Sequence, residues 1–252
     1  MNNEIYINLA IGIEKDLFSH FKKEDKLSIF DIGSCDGLDS VKYAKMFPES
    51  LIYAFEPLSK NIELIHSNIK IYGTSNIKVV PIALSDKKGQ EKFYVSSGNP
   101  EELKSSEWDY GNKSSSLLPP DKTTEVLDWL KFDHIETVET TTLHQFCQEN
   151  NIKLIDFIHM DVQGAELLVL NGAKEYISKI KMIWLEVENI SLYKDQPLKK
   201  DVESFMIENG FTKIKDTVNH IAGDQLWVNL NYFPKKKVTH TLWKIYSKFL
   251  NK

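Results

Sequence analysis

The sequence predicts an α/β fold built on a seven-stranded, mostly parallel sheet with helices on both faces and a C-terminal antiparallel hairpin. Short, nearly continuous apolar segments alternate with segments of helical apolar spacing, which is the pattern of strands that helices cover on both faces. A glycine-bearing turn follows the first of these strands and opens a helix. The last two strand-like segments follow each other without a helix between them, as in a hairpin.

The strands and helices are assigned from apolar periodicity and from the residues that end them. The predicted strands are 27–32, 51–55, 77–81, 154–160, 182–187, 211–215 and 225–230. The predicted helices between them are 38–47, 59–72, 165–177 and 198–209, the first ended by Pro48 and the last by Gly210. A packing helix is predicted over 9–21, within an N-terminal segment of residues 1–25, from the spacing of Leu9, Ile13, Leu17 and Phe21.

The chain of 252 residues is predicted to form a single domain over residues 1–252, because neither an internal repeat nor a low-complexity linker divides it. Hydrophobic residues at 42% suffice for a sizeable core. Residues 91–139 read as an irregular insertion. So long an insertion in a compact domain predicts a lid, which we expect to cover the site of the molecule that the protein acts on, its acceptor. Residues 235–252 read as a basic amphipathic helix, which we expect to pack on this domain or on the second copy of a homodimer rather than on a membrane.

Charge and cysteine content argue against several classes of protein. The net charge of −5 argues against a nucleic-acid partner, because phosphate binding requires a basic surface. The two cysteines, Cys35 and Cys147, cannot form a disulfide framework and lack metal-ligand spacing. Residues 1–9 include acidic Glu4 and are not expected to act as a signal peptide, and no apolar stretch reaches the roughly 18–20 residues of a membrane span. We therefore expect a cytoplasmic protein.

The turn after the first strand carries the first ligand-binding signal, from Asp31 to Gly37. Gly33 and Gly37 let the backbone turn tightly and approach a ligand, and the next helix offers free N–H groups. A dinucleotide fingerprint has the spacing G-x-G-x-x-G, whereas the spacing here is D-x-G-x-x-x-G with acidic residues in the loop. This turn favours a ligand that lacks phosphate and carries an amino-acid end and a sulfonium charge. The residues predicted to contact it are Asp31, Gly33, Ser34, Asp36 and Gly37.

Two further segments at strand ends complete the predicted cofactor site. Glu56 follows the second strand, where an acid accepts two hydrogen bonds from a ribose diol, and Pro57 comes next. The segment 83–86 follows the third strand and is expected to flank an adenine, although an ordinary polar turn is the alternative. Its candidate residues are Ala83, Leu84, Ser85 and Asp86.

The segment 161–166 follows the fourth strand, at the edge where open α/β sheets bind ligands. Asp161 is expected to face the reacting sulfonium and the acceptor, and Gln163 to contact both cofactor and acceptor. Gly164 permits a tight turn. Glu166 lies in the first turn of the next helix, where it either contacts the acceptor or only caps the helix.

Together these segments resemble the FkbM family of methyltransferases over residues 28–228. The resemblance rests on D-I-G at 31–33, F-E-P at 55–57, A-L-S at 83–85, S-S-S-L at 114–117, D-V-Q-G-A-E at 161–166, L-x-G-A at 170–173 and D-Q-L-W-V at 224–228. It implies the class I methyltransferase variant of the Rossmann-like fold and methyl transfer from S-adenosylmethionine, often to a hydroxyl of a sugar or natural product. Ser115 and Ser116, with Gln163 and Glu166, are then candidate acceptor contacts.

Methyl transfer to a hydroxyl requires a group that removes its proton. The candidate bases are Asp161, His134 and His220. His159 stands two residues before Asp161 and is expected to point away from it, as a packed and hydrogen-bonded histidine.

A metal ion is the alternative way to activate the hydroxyl. Asp161, Glu188 and Asn189 follow neighbouring strands, and oxygen ligands of this kind fit Mg²⁺ or Mn²⁺. The set is similar to that of catechol-type O-methyltransferases. It is equally consistent with ordinary acids at a strand end, Glu186 among them.

The sequence therefore predicts an S-adenosylmethionine-dependent O-methyltransferase whose partner is a small polar acceptor: a saccharide, a sugar nucleotide or a related natural product. An NAD(P)-dependent oxidoreductase is the first alternative, and the missing third glycine argues against it. A non-catalytic S-adenosylmethionine-binding protein is the second. Polar groups at the ends of both the fourth and the fifth strand favour catalysis instead.

Overall fold

The structure, a computed structural model, describes residues 3–104 and 108–233. Its strands within these ranges are β1 (Ser28–Ile32), β2 (Leu51–Phe55), β3 (Ile77–Val80), β4 (Ala83–Leu84), β5 (Gly89–Ser97), β6 (Lys131–Thr141), β7 (Ile155–Met160), β8 (Ile180–Glu188), β9 (Phe211–Asp216) and β10 (Ala222–Asn229). Its α-helices there are α1 (Asn3–Asn8), α2 (Glu14–His20), α3 (Leu38–Met46), α4 (Ser59–Tyr72), α5 (Thr123–Val126), α6 (Leu143–Glu149), α7 (Glu166–Gly172) and α8 (Lys199–Glu208).

Seven strands form the main sheet, in the order β3-β2-β1-β7-β8-β10-β9. Neighbours are parallel except around β10, which runs antiparallel to β8 and to β9. β1 pairs with β2 on one side and β7 on the other, so that Asp31 lies opposite both Ala54 and His159. The strand order reverses here, and the carboxyl ends of β1 and β7 therefore border a crevice. The predicted seven-stranded fold with its C-terminal antiparallel hairpin is confirmed.

Alternate residues of the central strands enter two different apolar cores. On β1, Phe30 and Ile32 pack towards α6, α7 and α8, while Ile29 packs towards α2 and α3. Phe30 lies 5.8 Å from Phe146 between ring centroids, in an edge-on arrangement. Burial of such a side chain contributes about 1.5–3 kcal/mol. The two cores fix the sheet between helical layers and so fix the position of its carboxyl edge.

A second, three-stranded sheet, β4-β6-β5, occupies much of the segment predicted to be irregular. That prediction was wrong for 89–97 and 131–141, which form a long antiparallel pair. The sheet buries only one face, so buried Val138 stands between exposed Thr137 and Glu139. The resulting sequence alternates polar and apolar residues, so it is more similar to that of a loop than to the continuous apolar strands of the main sheet.

The N-terminal helix also differs from its prediction. The chain forms α1 and α2 as separate helices, and Leu9 is half exposed between them. Ile13 and Leu17 are buried as predicted, so only the C-terminal part of the apolar pattern is helical and packed. The predicted helix over 235–252 lies outside the described residues. No helix within residues 3–104 and 108–233 has the length and apolarity to cross a membrane.

Candidate active site

The turn after β1 holds the backbone against the next strands. Gly33 has φ +86, and a Cβ at this position would lie 1.9 Å from the carbonyl oxygen of Asp161. The N–H groups of Gly33 and Ser34 both donate to the carbonyl of Phe55, at 3.1 and 3.0 Å. Only glycine permits this close approach of three strand ends. The turn therefore leaves a concave surface at the carboxyl edge of the sheet.

A pocket of about 550 Å³ opens at this edge. Seven of the predicted cofactor residues line it: Gly33, Glu56, Pro57, Ala83, Leu84, Asp161 and Gln163. They come from the ends of β1, β2 and β7 and from β4, so four sequence-distant segments meet in one place. Phe55, Phe93 and Leu117 add apolar walls of the kind that an adenine ring requires.

Glu56 is the buried acid of this pocket, with only 4% of its surface exposed. Its carboxylate accepts hydrogen bonds from the N–H of Cys35, at 3.0 Å, and of Leu58, at 2.9 Å. Burial raises the pKa of Glu56 to about 7, against the opposing effect of these two bonds and of the nearby side chain of Asn61. A carboxylate has about four acceptor positions, so some remain for a ribose diol.

The other predicted cofactor residues lie behind the pocket wall. The carboxylate of Asp31 turns towards α3, where Ser40 donates to it and His159 Nδ1 lies 3.1 Å away. Asp36 accepts from the N–H of Leu38 at the start of α3. Ser34, Gly37, Ser85 and Asp86 likewise stand outside the lining of this pocket. These side chains support the turns, and the pocket itself is lined by their neighbours.

Gln163 joins two carboxylates at the ends of β7 and β8. Its Nε2 donates to Asp161 at 2.6 Å and to Glu186 at 2.8 Å, from a backbone with φ +54. Burial, together with the charge of Asp161, raises the pKa of Glu186 well above its ordinary value. Burial and nearby acids also raise the pKa of Glu188 to about 9. Glu188 therefore retains its proton at neutral pH, and Gln163 holds Asp161 in the pocket as a fixed acceptor.

Glu166 points back into its own turn. It is buried, and its carboxylate accepts from the N–H of Val162 at 3.2 Å and of Gly164 at 3.3 Å. Burial raises its pKa to about 7. These contacts correspond to the helix-start role that the sequence left open for Glu166 beside an acceptor contact.

The segment 110–118 covers the pocket. Asn112 donates to Asn61 at 2.6 Å, and Tyr193 donates to the carbonyl of Ser114 at 2.7 Å. The hydroxyl of Ser116, fully buried, donates to the carbonyl of Gln163 at 2.8 Å. The residues of this segment that line the pocket are Asn112, Lys113, Ser115 and Leu117. This segment, which belongs to the predicted lid, contacts the same pocket as Glu56, and half-buried Ser115 is the member of the predicted serine pair that lines it.

Several residues of the site carry no sequence signal of their own. They are Asn61, the adjacent pair Asn112 and Lys113, and Tyr193, which come from three separate stretches of the chain and meet only in the folded protein. The S-S-S-L segment at 114–117 was the nearest available marker for Asn112 and Lys113.

The lining of this pocket includes none of the three histidines considered from the sequence, His134, His159 and His220. His134 is exposed on β6 and lies 3.4 Å from Glu136, and His220 is exposed in a turn. His159 packs edge-on against Tyr43, with ring centroids 5.7 Å apart. His159 lines a different pocket from Asp161, which follows the last residue of β7.

The predicted metal site receives no support. Within residues 3–104 and 108–233, no three His, Cys, Asp or Glu side chains are grouped to hold a metal ion. Asn189 instead donates its amide to the carbonyl of Asn219, at 2.6 Å. Glu188 is buried, and the nearby side chain of Gln196 partly offsets the rise in its pKa.

A sheet with this order, a glycine turn after β1 and a buried acid after β2 define a class I methyltransferase that depends on S-adenosylmethionine. The chain belongs to the FkbM methyltransferase family, because the model of the methyltransferase FkbM domain matches residues 31–213.

Individual relatives agree with this assignment. The chain is 31% identical to the 2-O-methyltransferase NoeI of Sinorhizobium fredii over 191 residues, which are 75% of either chain. It is 24% identical to Methyltransferase 1 of Beauveria bassiana over 151 residues, 59% of either chain. Among solved structures, Aeropyrum pernix fibrillarin with bound S-adenosyl-L-methionine matches with a TM-score of 0.43 and 11% identity, over 82% of this chain and 69% of that one.

Proposed function

We propose that this methyltransferase acts on a hydroxyl of a small polar acceptor, a saccharide or a related natural product. The observation that carries the proposal is the position of Asp161: its carboxylate lines the same pocket as Gly33 and Glu56 and is held there by Gln163. A relative that covers most of the chain carries the name 2-O-methyltransferase, which supports an oxygen acceptor.

The pocket residues fit S-adenosylmethionine. Gly33 lets the turn after β1 lie directly against the carbonyl of Asp161 in the pocket lining, and Glu56 is a buried carboxylate whose remaining lone pairs suit two hydroxyl donors. In the proposal, Glu56 binds the ribose, and Ala83 and Leu84 contact the adenine. When bound, S-adenosylmethionine supplies an electrophilic methyl group, whose transfer to oxygen breaks the carbon–sulfur bond and leaves S-adenosylhomocysteine.

Asp161 accepts the proton that the acceptor hydroxyl loses as its oxygen forms the new bond to carbon. Gln163 keeps this carboxylate in place through a donated hydrogen bond, and Tyr193 lies 3.1 Å from the amide oxygen of Gln163. Positioning of the reacting groups supplies most of the rate enhancement in such a displacement. The proposal uses no metal ion, since the oxygen ligands expected from the sequence do not converge.

The test is transfer of tritium from methyl-labelled S-adenosylmethionine to a panel of monosaccharides and sugar nucleotides. We expect Asp161→Asn to bind S-adenosylhomocysteine like the wild type and to lose about 10²–10⁴-fold in kcat. Asp133→Asn is the matched control, because Asp133 is exposed on β6. Full activity of Asp161→Asn contradicts the role of Asp161, and transfer only to amine acceptors contradicts the hydroxyl.

A further inference from the structure

A second pocket, of about 970 Å³, lies on the α2 and α3 side of the same sheet edge. Its floor is formed by residues near the carboxyl end of β7, in the middle of β8 and at the start of β10, and its wall by α1 and the chain between α1 and α2. The polar and aromatic side chains that line it include Tyr6, Asp39, Lys42, His159, Trp184 and Asp224. The cofactor contacts proposed above lie in the other pocket.

The floor of this second pocket adjoins two carboxylates: Asp161, the proposed base, and Glu186. Asp224 of β10 lies opposite Glu186 of β8, and opposed residues of paired strands face the same side of a sheet. Asp161 lies close enough to His159 and to Asp224 for its charge to favour the protonated form of both and so to raise the pKa of each. Glu186 and Asp161 are the two carboxylates that Gln163 joins. A molecule seated over Asp224 and His159 is therefore next to the proposed base.

The hydrogen-bonding groups of the pocket are mainly acceptors. Asp224 is half-buried, and its carboxylate takes no hydrogen bond from the described part of the chain. Asp39 accepts from the hydroxyl of Tyr6 at 2.7 Å through one oxygen, which leaves the other. The Nδ1 of His159 hydrogen-bonds to Asp31, which leaves its Nε2 for a ligand.

The cations around the pocket are already engaged. Lys215 donates to the carbonyl of Gly12 at 2.6 Å and to Asp16 at 2.9 Å. Lys42 lies over the ring of Tyr6, with Nζ 3.6 Å from the ring centroid. His159 faces the carboxylate of Asp31. A phosphate would therefore meet two acids with spare lone pairs and two lining lysines that already contact a carboxylate, a carbonyl or an aromatic ring, which disfavours its binding.

We propose that this second pocket is the acceptor site and that it takes an uncharged saccharide ring, an inference that rests on the proposed function. Sugar hydroxyls donate to Asp39 and Asp224, and the apolar face of a pyranose packs on Trp184 and Ile11 of the lining. The acids exclude phosphorylated sugars, so the acceptor reaches the enzyme as a free sugar or as a glycan, with any phosphate distant from the methylated ring.

The experiment is saturation-transfer NMR on the full chain, with and without S-adenosylhomocysteine. The probes are D-glucose, D-galactose, D-mannose, N-acetyl-D-glucosamine and D-glucose 1-phosphate. We expect at least one neutral probe to bind, and D-glucose 1-phosphate to bind more weakly than D-glucose. Asp224→Ala removes a carboxylate that accepts no hydrogen bond from described residues, so the fold is retained, and the Kd of the bound sugar should rise about tenfold or more.

A second pair of variants tests the pocket by obstruction. Gly12 lines it, and a Cβ there would meet no heavy atom within 4 Å, so larger side chains are tolerated. Gly12→Phe should abolish the sugar signal, whereas the matched Gly12→Ala should keep it. Both should bind S-adenosylhomocysteine with a Kd within about twofold of the wild type, since the proposed cofactor contacts line the other pocket.

The outcomes separate this inference from the proposed function. Sugar binding that survives both Asp224→Ala and Gly12→Phe overturns the acceptor site. So does the absence of binding by every neutral probe, or D-glucose 1-phosphate binding as tightly as D-glucose. Failure of the wild type to bind S-adenosylhomocysteine contradicts the proposed cofactor site instead, because the sugar measurements without S-adenosylhomocysteine are independent of it.

Discussion

Glu56 should make the affinity for S-adenosylhomocysteine depend on pH. Burial raises the pKa of this carboxyl group to about 7, and in the proposed role only its ionised form accepts both hydrogen bonds of a ribose diol. Because the ionised fraction grows as the pH rises, affinity should increase with pH and level off above the pKa. The opposite sign would require a ligand that binds the protonated acid.

The magnitude follows from the pKa. About one tenth of the molecules carry ionised Glu56 at about pH 6 and about nine tenths at about pH 8, so the apparent Kd should fall roughly tenfold between them. Binding near pH 7 should release about half a proton for each ligand. Glu56→Gln should weaken binding at about pH 8 by about 1.5–3 kcal/mol, the contribution of hydrogen bonds to a charged group.

Isothermal titration in two buffers of different ionisation enthalpy measures both Kd and proton release. The matched control is Glu63→Gln, because Glu63 is exposed on α4, close in sequence to Glu56. The control should keep the full pH dependence, whereas Glu56→Gln should be nearly flat. A tenfold pH effect that persists in Glu56→Gln, or an unchanged affinity of that variant at about pH 8, would refute the assignment of Glu56 to the ribose.

Three further predictions concern the framework of the site. Gly33→Ala should lower the free energy of unfolding by about 2–4 kcal/mol, since its Cβ would overlap the carbonyl of Asp161; Gly73→Ala, also at positive φ but in open space, should cost only about 1 kcal/mol, and equal losses in denaturant titrations would contradict the steric argument. Tyr193→Phe removes a hydrogen bond to the lid segment and should cost about 0.5–1.5 kcal/mol while speeding hydrogen exchange of residues 110–118; unaltered exchange there would argue against this anchor. Burial raises the pKa of Glu188 from 4.5 to about 9, so the folded state binds an extra proton between these values and loses stability as the pH rises. The melting temperature of Glu188→Gln, relative to the wild type, should therefore be higher at about pH 9 than at about pH 5, and a difference that does not vary with pH would count against the raised pKa.

The fold could be read from the sequence wherever a strand is buried on both faces. The strands around 27–32, 51–55 and 154–160 are continuous apolar runs, and the structure has strands at all three. The second sheet was not predicted because its strands bury one face only. Charged residues on these strands obscure the two-residue period that indicates a strand. The N-terminal helix was placed too early, because apolar spacing at Leu9 continues a pattern that the backbone does not follow.

The residues of the site were likewise predictable only in part. Gly33, Glu56 and Asp161 each follow a strand, and parallel strands bring their carboxyl ends to one edge, so local sequence together with topology determined which residues line the pocket. Sequence did not determine that Asp31 turns towards α3, nor that Tyr193 and Gln163 connect the lid segment to the reacting edge. A turn or a buried strand is encoded by neighbouring residues, whereas the contact of two distant side chains depends on strand register and helix packing, which only the tertiary structure decides.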